Sequence, residues 1–190
     1  MMKNKIDSAS HNVTPVWRRI KASLIDYLVI LAWMAIIGLV GLTLSLITGG
    51  YPDYLGTFGP VGAQIIFFFV LTFPVGIYLY VSEVGTRQAT IGKIKVGMRV
   101  VTLEGGAPSK ISILMRTIVK LLPWEIAHTF IWQMQYVFYQ SGYEADVPIW
   151  IFAGLNVSMI LVIIYVAMIA LRQDGRAPHD LVAGTRVDLR

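Results

Sequence analysis

The chain has 190 residues, of which 56% are hydrophobic and only 14% charged, against about 45–50% and about 25% in soluble globular proteins. So few polar residues cannot cover the surface of a soluble domain this size, which excludes an ordinary cytosolic enzyme and a disordered tail and points to an integral membrane protein. There is no cysteine, so no disulfide framework, thiolate nucleophile or iron–sulfur site is available, and a formal net charge of +5 carries no nucleic-acid signature until its charges are located.

The N-terminal residues are basic, with Lys3, Lys5, Arg18, Arg19 and Lys21. The apolar run that follows, 24–47, is too long for a signal-peptide core and has no small-residue cleavage pattern after it, so it is expected to remain as a first span. Its one charge is Asp26. Arg19, Ser23 and Asp26 share one helix face over two turns, about 10 Å. This reads as a polar track entering the bundle, with a structural ion pair as the alternative.

A second charge-free run covers 61–82. Residues 83–110 then form the one sizeable polar segment. Within it Lys95-Val96-Gly97-Met98-Arg99-Val100 alternates with the period of a strand, and Glu104-Gly105-Gly106 supplies a turn. A short cytoplasmic β-hairpin is expected here.

The third apolar run, 121–137, is weaker, because it holds Pro123, Glu125 and His128. Pro123 is expected to kink or start the helix. Glu125 and His128 stand at i and i+3 on one face. Such a pair in a membrane marks a proton relay or an internal hydrogen-bonded lock. It is also half of a di-iron carboxylate motif, but that motif needs two such pairs, and this chain has one, so no metal or other cofactor is expected. The fourth run, 149–171, is again charge-free. The C-terminal segment 172–190 is too polar to cross; Pro178 can open a short helical turn there and Gly184 can close it.

Every one of the sixteen Lys and Arg residues lies before the first run, between the second and third, or after the fourth. By the positive-inside rule the expected fold is an all-α integral membrane protein: a four-transmembrane-helix bundle, both termini inside, with a small cytoplasmic β-hairpin between helices 2 and 3. The whole chain, 1–190, is one membrane domain. Enzyme motifs fail. Gly92-Lys93 lacks the upstream glycine and the following Ser or Thr of a phosphate loop. There is no Gly-x-Ser-x-Gly elbow, and His11 and His179 stand apart from His128 in sequence.

Three stretches resemble the RDD family of small bacterial membrane proteins, named for one Arg and two Asp: 19–26, Thr90-Ile91-Gly92-Lys93 followed by Val96–Val101, and His179–Thr185. Together they cover the chain from end to end. Arg19, Asp26 and Asp180 would be the three namesakes, and Ile91 stands where the family usually has Pro. The resemblance implies a multi-pass protein of the bacterial cell (plasma) membrane, often proposed to take part in transport. Some relatives look like cation/proton antiporters and others like membrane-embedded partners of larger assemblies.

The leading expectation is a monovalent cation/proton antiporter, not an enzyme. Asp26, Glu125 and His128 would bind the ion and protons, and Arg19, Asp180 and Lys93 would form a cytoplasmic charge network. Its partners would be the bilayer, the cation and protons, with no nucleic acid. Four spans are few for a transporter, so a homo-oligomer is expected. The alternative is a non-catalytic scaffold or regulatory subunit.

Overall fold

The computed structural model describes residues 14–190; Lys3, Lys5 and His11 lie outside the described residues. Helix α1, Val16–Thr48, is followed by α2, Tyr54–Phe67, a π-helical turn at Phe68–Thr72, and α3, Phe73–Val84. A short helix α4, Ile91–Lys95, and strand β1, Met98–Thr102, lead into α5, Lys110–Ser141. The chain ends with α6, Ile149–Leu171, a short α7, Pro178–Val182, and strand β2, Thr185–Leu189.

Among the described residues three segments are long and apolar enough to cross a membrane: Val16–Thr48, Tyr54–Val84 and Ile149–Leu171. Their apolar side chains face outward; Leu28, Leu39, Ile160 and Val166 are all exposed. A soluble fold would bury such residues, whereas hydrocarbon accepts them. Helix α5 is equally long, 32 residues, but its charged side chains dilute its apolar character.

Helix α5 is the hub, packing against α2, α3, α6 and α7, while α1 packs chiefly against α4. Two ends of the bundle can be told apart. At one, Tyr139 near the end of α5 donates its hydroxyl to Asp53 Oδ2 across 2.6 Å, and Asp53 Oδ1 accepts the Gly56 amide as an N-cap of α2. At the other lie the start of α5, α4, α7 and the two strands.

Two sequence expectations are corrected. First, residues 83–110 hold no β-hairpin. The tight turn forms, since the Gly105 amide donates to Thr102 O and Gly105 has φ +89°. The chain after it, however, reaches Ser109, which caps α5 by accepting the Ser112 amide. Strand β1 pairs instead, antiparallel, with β2, in a register running from Met98↔Leu189 to Thr102↔Thr185. The sheet therefore ties the segment after α4 to the C-terminus, and Met98, Val187 and Ala22 of α1 form a small core beneath it.

Second, of the start or kink expected at Pro123, the start is overturned, because α5 runs through it from Lys110. Proline has no N–H, so the carbonyl four residues earlier loses its partner. That carbonyl belongs to Val119, and the Tyr165 hydroxyl of α6 donates to it across 2.6 Å. Ser158 of α6 donates to the Pro123 carbonyl itself. The partner helix satisfies the break, and α5 continues.

Candidate functional site

The polar groups gather in three places along the bundle. The first is Asp26. Its Oδ1 accepts from the Tyr78 hydroxyl at 2.7 Å and the Gly92 amide at 2.8 Å, and its Oδ2 from the Thr90 hydroxyl at 2.6 Å. The carboxylate thus sits at the N-terminal turn of α4, where free amides and the helix dipole favour negative charge. Gly92 is required by this approach: a Cβ there would lie 2.0 Å from the Ala22 carbonyl oxygen. Ile91 donates its amide to the Tyr78 hydroxyl at 3.1 Å, a bond a proline at this position could not make.

The second place is a buried charge network at the same end. Glu83, at the end of α3, is about 1% exposed. It accepts from Lys93 Nζ at 2.7 Å, Arg116 Nε at 2.8 Å and Lys120 Nζ at 3.4 Å. Arg116 also pairs with Asp180 of α7 and donates to the Thr185 hydroxyl at 3.0 Å. Arg19 Nη1 reaches Asp180 Oδ2 at 3.5 Å. Asp180 further accepts the Ala177 amide at 3.0 Å, closing the first turn of α7. The sequence-derived members Arg19, Asp180 and Lys93 are therefore brought together, through two residues that sequence reasoning missed, Glu83 and Arg116.

Outside the spans two titrations are set by this network. Burial opposes charge on Asp180, but Arg116 and Arg19 outweigh it and hold the carboxyl well below its ordinary range. Burial, helped by the Arg116 charge, pushes His179 well below its ordinary value against the opposing pull of Asp180. His179 is therefore neutral at pH 7.

The third place lies deeper. Glu125 Oε1 accepts from the Thr72 hydroxyl at 2.5 Å, and His128 Nδ1 stands 3.6 Å from the same oxygen. Trp124 packs edge-on against the His128 ring at 4.6 Å. Thr129 of the next turn accepts from Gln64 Nε2. Thr72 closes the π-turn, a feature frequent at functional sites.

A cavity of about 460 Å³ runs from the charged end to Thr72 and Trp124, which stand between it and Glu125 and His128; the latter two do not line it. Arg19, Lys93, Arg116, Lys120, His179 and Asp26 line one end, and Thr72 and Trp124 also line it. Among the described residues no three His, Asp or Glu side chains are grouped as metal ligands.

The RDD family pattern matches residues 13–184, nearly the whole chain. The chain belongs to the RDD family. No curated protein and no solved structure gives a significant match. The three residues carried over from the family name, Arg19, Asp26 and Asp180, all lie at the α4–α7 end. Asp26 anchors α4, and Arg19 with Asp180 belongs to the ion-pair network.

Proposed function

We propose that this RDD protein is a multi-pass transport protein of the bacterial cell membrane, coupling movement of a substrate through the bundle cavity to protons carried by Glu125 and His128. In this reading α5 also crosses, as the third of four spans, and both termini face the cytoplasm, where the basic residues gather.

One observation carries the proposal. Thr72 lines the cavity and donates its hydroxyl to Glu125, which stands beside His128. A carboxylate and an imidazole paired inside a bundle can pass a proton between them, and Thr72 links that exchange to the cavity.

The monovalent cation expected from the sequence finds less support at Asp26. A cation seeks free oxygen lone pairs, whereas three donors already point at this carboxylate. Asp26 is better read as a positioning residue for α4. The scaffold alternative draws on the density of ion pairs among Glu83, Arg116 and Asp180, which would make this end a rigid docking face.

The test is reconstitution of the purified protein into vesicles carrying an internal pH dye. A substrate gradient that drives proton flux supports transport. Proton-tight vesicles under Na⁺, K⁺, Li⁺ and organic-anion gradients would favour the scaffold.

A further inference from the structure

The cavity is built asymmetrically. Its charged end brings together four basic side chains, Arg19, Lys93, Arg116 and Lys120, while two carboxylates, Glu83 and Asp180, pair with the cluster and a third, Asp26, also lines the cavity. One of those carboxylates, Asp26, is satisfied by uncharged donors. Positive charge is therefore in excess. Two cations are loosely held: Lys120 reaches Glu83 Oε1 only at 3.4 Å, an oxygen Lys93 already holds at 2.7 Å, and Arg19 reaches Asp180 only at 3.5 Å, a carboxylate Arg116 already pairs with.

Two buried polar atoms at this end have no partner among the described residues, Arg19 Nε and His179 Nδ1. Both residues line the cavity and are more than nine-tenths buried. Neutral His179 turns its Nε2 toward Asp180, which leaves Nδ1 as an acceptor, whereas the Arg19 Nε–H is an orphaned buried donor that costs free energy unless something meets it. A ligand with acceptor oxygens would meet that donor.

Away from the charged end the lining is apolar, formed by Ile30, Leu31 and Met34 of α1, Val75 and Leu79 of α3, and Trp124. From Arg19 to Met34 the cavity follows α1 for about 22 Å at 1.5 Å per residue. Tyr27, Leu31 and Met34 line it and are nonetheless exposed. The cavity is thus open along α1 on the side that faces hydrocarbon in the proposed orientation. Its volume falls in the range of roughly 300–1,000 Å³ typical of small-molecule sites.

We infer that the cavity binds an anionic amphiphile, with a carboxylate or phosphate head at Arg19 and Lys120 and a single alkyl chain along α1. The head supplies the missing negative charge and an acceptor for the unpartnered Arg19 Nε–H. The chain fills the apolar length and enters sideways from the bilayer. The inference rests on the transport reading for its purpose and names the class of substrate.

The test measures binding at fixed pH without any gradient, using the full-length protein in phosphatidylcholine nanodiscs, with empty discs subtracted. The probes are dodecyl phosphate, dodecanoate, dodecanol and inorganic phosphate. The anionic amphiphiles should bind at least about tenfold more tightly than dodecanol, the scale of one charge-assisted hydrogen bond, and inorganic phosphate should bind far more weakly than dodecyl phosphate. The stronger of the two anions separates a lipid phosphate from a fatty acid. Met34→Trp fills the apolar end without touching the charge network, and should weaken dodecyl phosphate by about tenfold. Lys120→Gln should weaken both anions and leave dodecanol unchanged. Equal binding of dodecanol, inorganic phosphate binding as tightly as dodecyl phosphate, or indifference to Met34→Trp would overturn the inference. Specific binding without proton flux would sink the transport reading alone. Flux driven by another solute without amphiphile binding would sink this inference alone.

Discussion

Arg116 Nε donates to Glu83 Oε2 across 2.8 Å, and each side chain is about 1% exposed. This pair joins the start of α5 to the end of α3 and extends through Asp180 to α7. Breaking a buried pair by removing one partner costs about 3–5 kcal/mol, because the other charge stays buried and uncompensated. Glu83→Gln should therefore lower the stability of the detergent-solubilised protein by that order, read as a drop in the thermal midpoint. Arg116→Met should do the same, and the double variant should lose clearly less than the two single losses combined. Additive losses would show that the pair is not coupled.

Asp26 and Gly92 set the position of α4. Asp26→Asn replaces an acceptor by a group that faces three donors with one oxygen, at a cost of about 1–3 kcal/mol. Gly92→Ala pushes a methyl into the Ala22 carbonyl, an overpacking cost of about 1–3 kcal/mol. Hydrogen exchange should accelerate in residues 90–96 in both variants and remain slow in α6. Unchanged protection of 90–96 would remove Asp26 from its positioning role.

His179 makes stability depend on pH. Its folded-state value lies well below 6.5, so between those values the unfolded chain binds more protons than the folded one. Stability then rises with pH through that window and is lost as the pH falls below about 6.5. The depressed Asp180 carboxyl acts in the same direction but only at more acid pH, below its ordinary 3.8. The thermal midpoint should fall between pH 7.5 and 5.5, and His179→Gln should flatten that slope. A slope equally steep in the variant would assign the effect to other groups.

Much of the architecture is legible as hydropathy, since three long apolar runs need only length to be recognised. The strand pairing is not. Residues 98–102 alternate visibly, but their partner begins at Thr185, and a local turn after Thr102 invites a local hairpin. What decides is Ser109, a helix cap that claims the chain before a second strand can return. Glu83 and Arg116 were hidden by a different ambiguity. Among the basic residues of 83–120, Arg116 and Lys120 read as topology signals in a linker, although they lie one turn apart on a face of α5. A signal was present: Glu83 is a carboxylate abutting an apolar run beside many cations, and such a charge needs a partner. Arg19 and Asp180 were legible because a buried arginine beside an apolar span needs a counter-charge.

The proposed four-span arrangement can be tested by chemistry on a chain without native thiols. Tyr51→Cys and Glu144→Cys, near the Asp53–Tyr139 end, should react with an impermeant thiol reagent added outside intact cells. Val182→Cys, on the exposed side of α7, should react only after the membrane is opened. Outside labelling at 182 would contradict both termini facing the cytoplasm.

Proton flux in Glu125→Gln compared with the unaltered protein is the most direct measurement. Both are reconstituted at equal density into vesicles with an internal pH dye, and flux is driven by a gradient of dodecanoate or of a monovalent cation. Glu125 touches Thr72 and His128 but none of the ion pairs at the α4–α7 end, so the variant should fold and insert. Proton-coupled transport requires substrate-driven flux in the unaltered protein and its loss, or a shift of its pH dependence, in Glu125→Gln. Undiminished flux with an unchanged pH profile in the folded variant would contradict it.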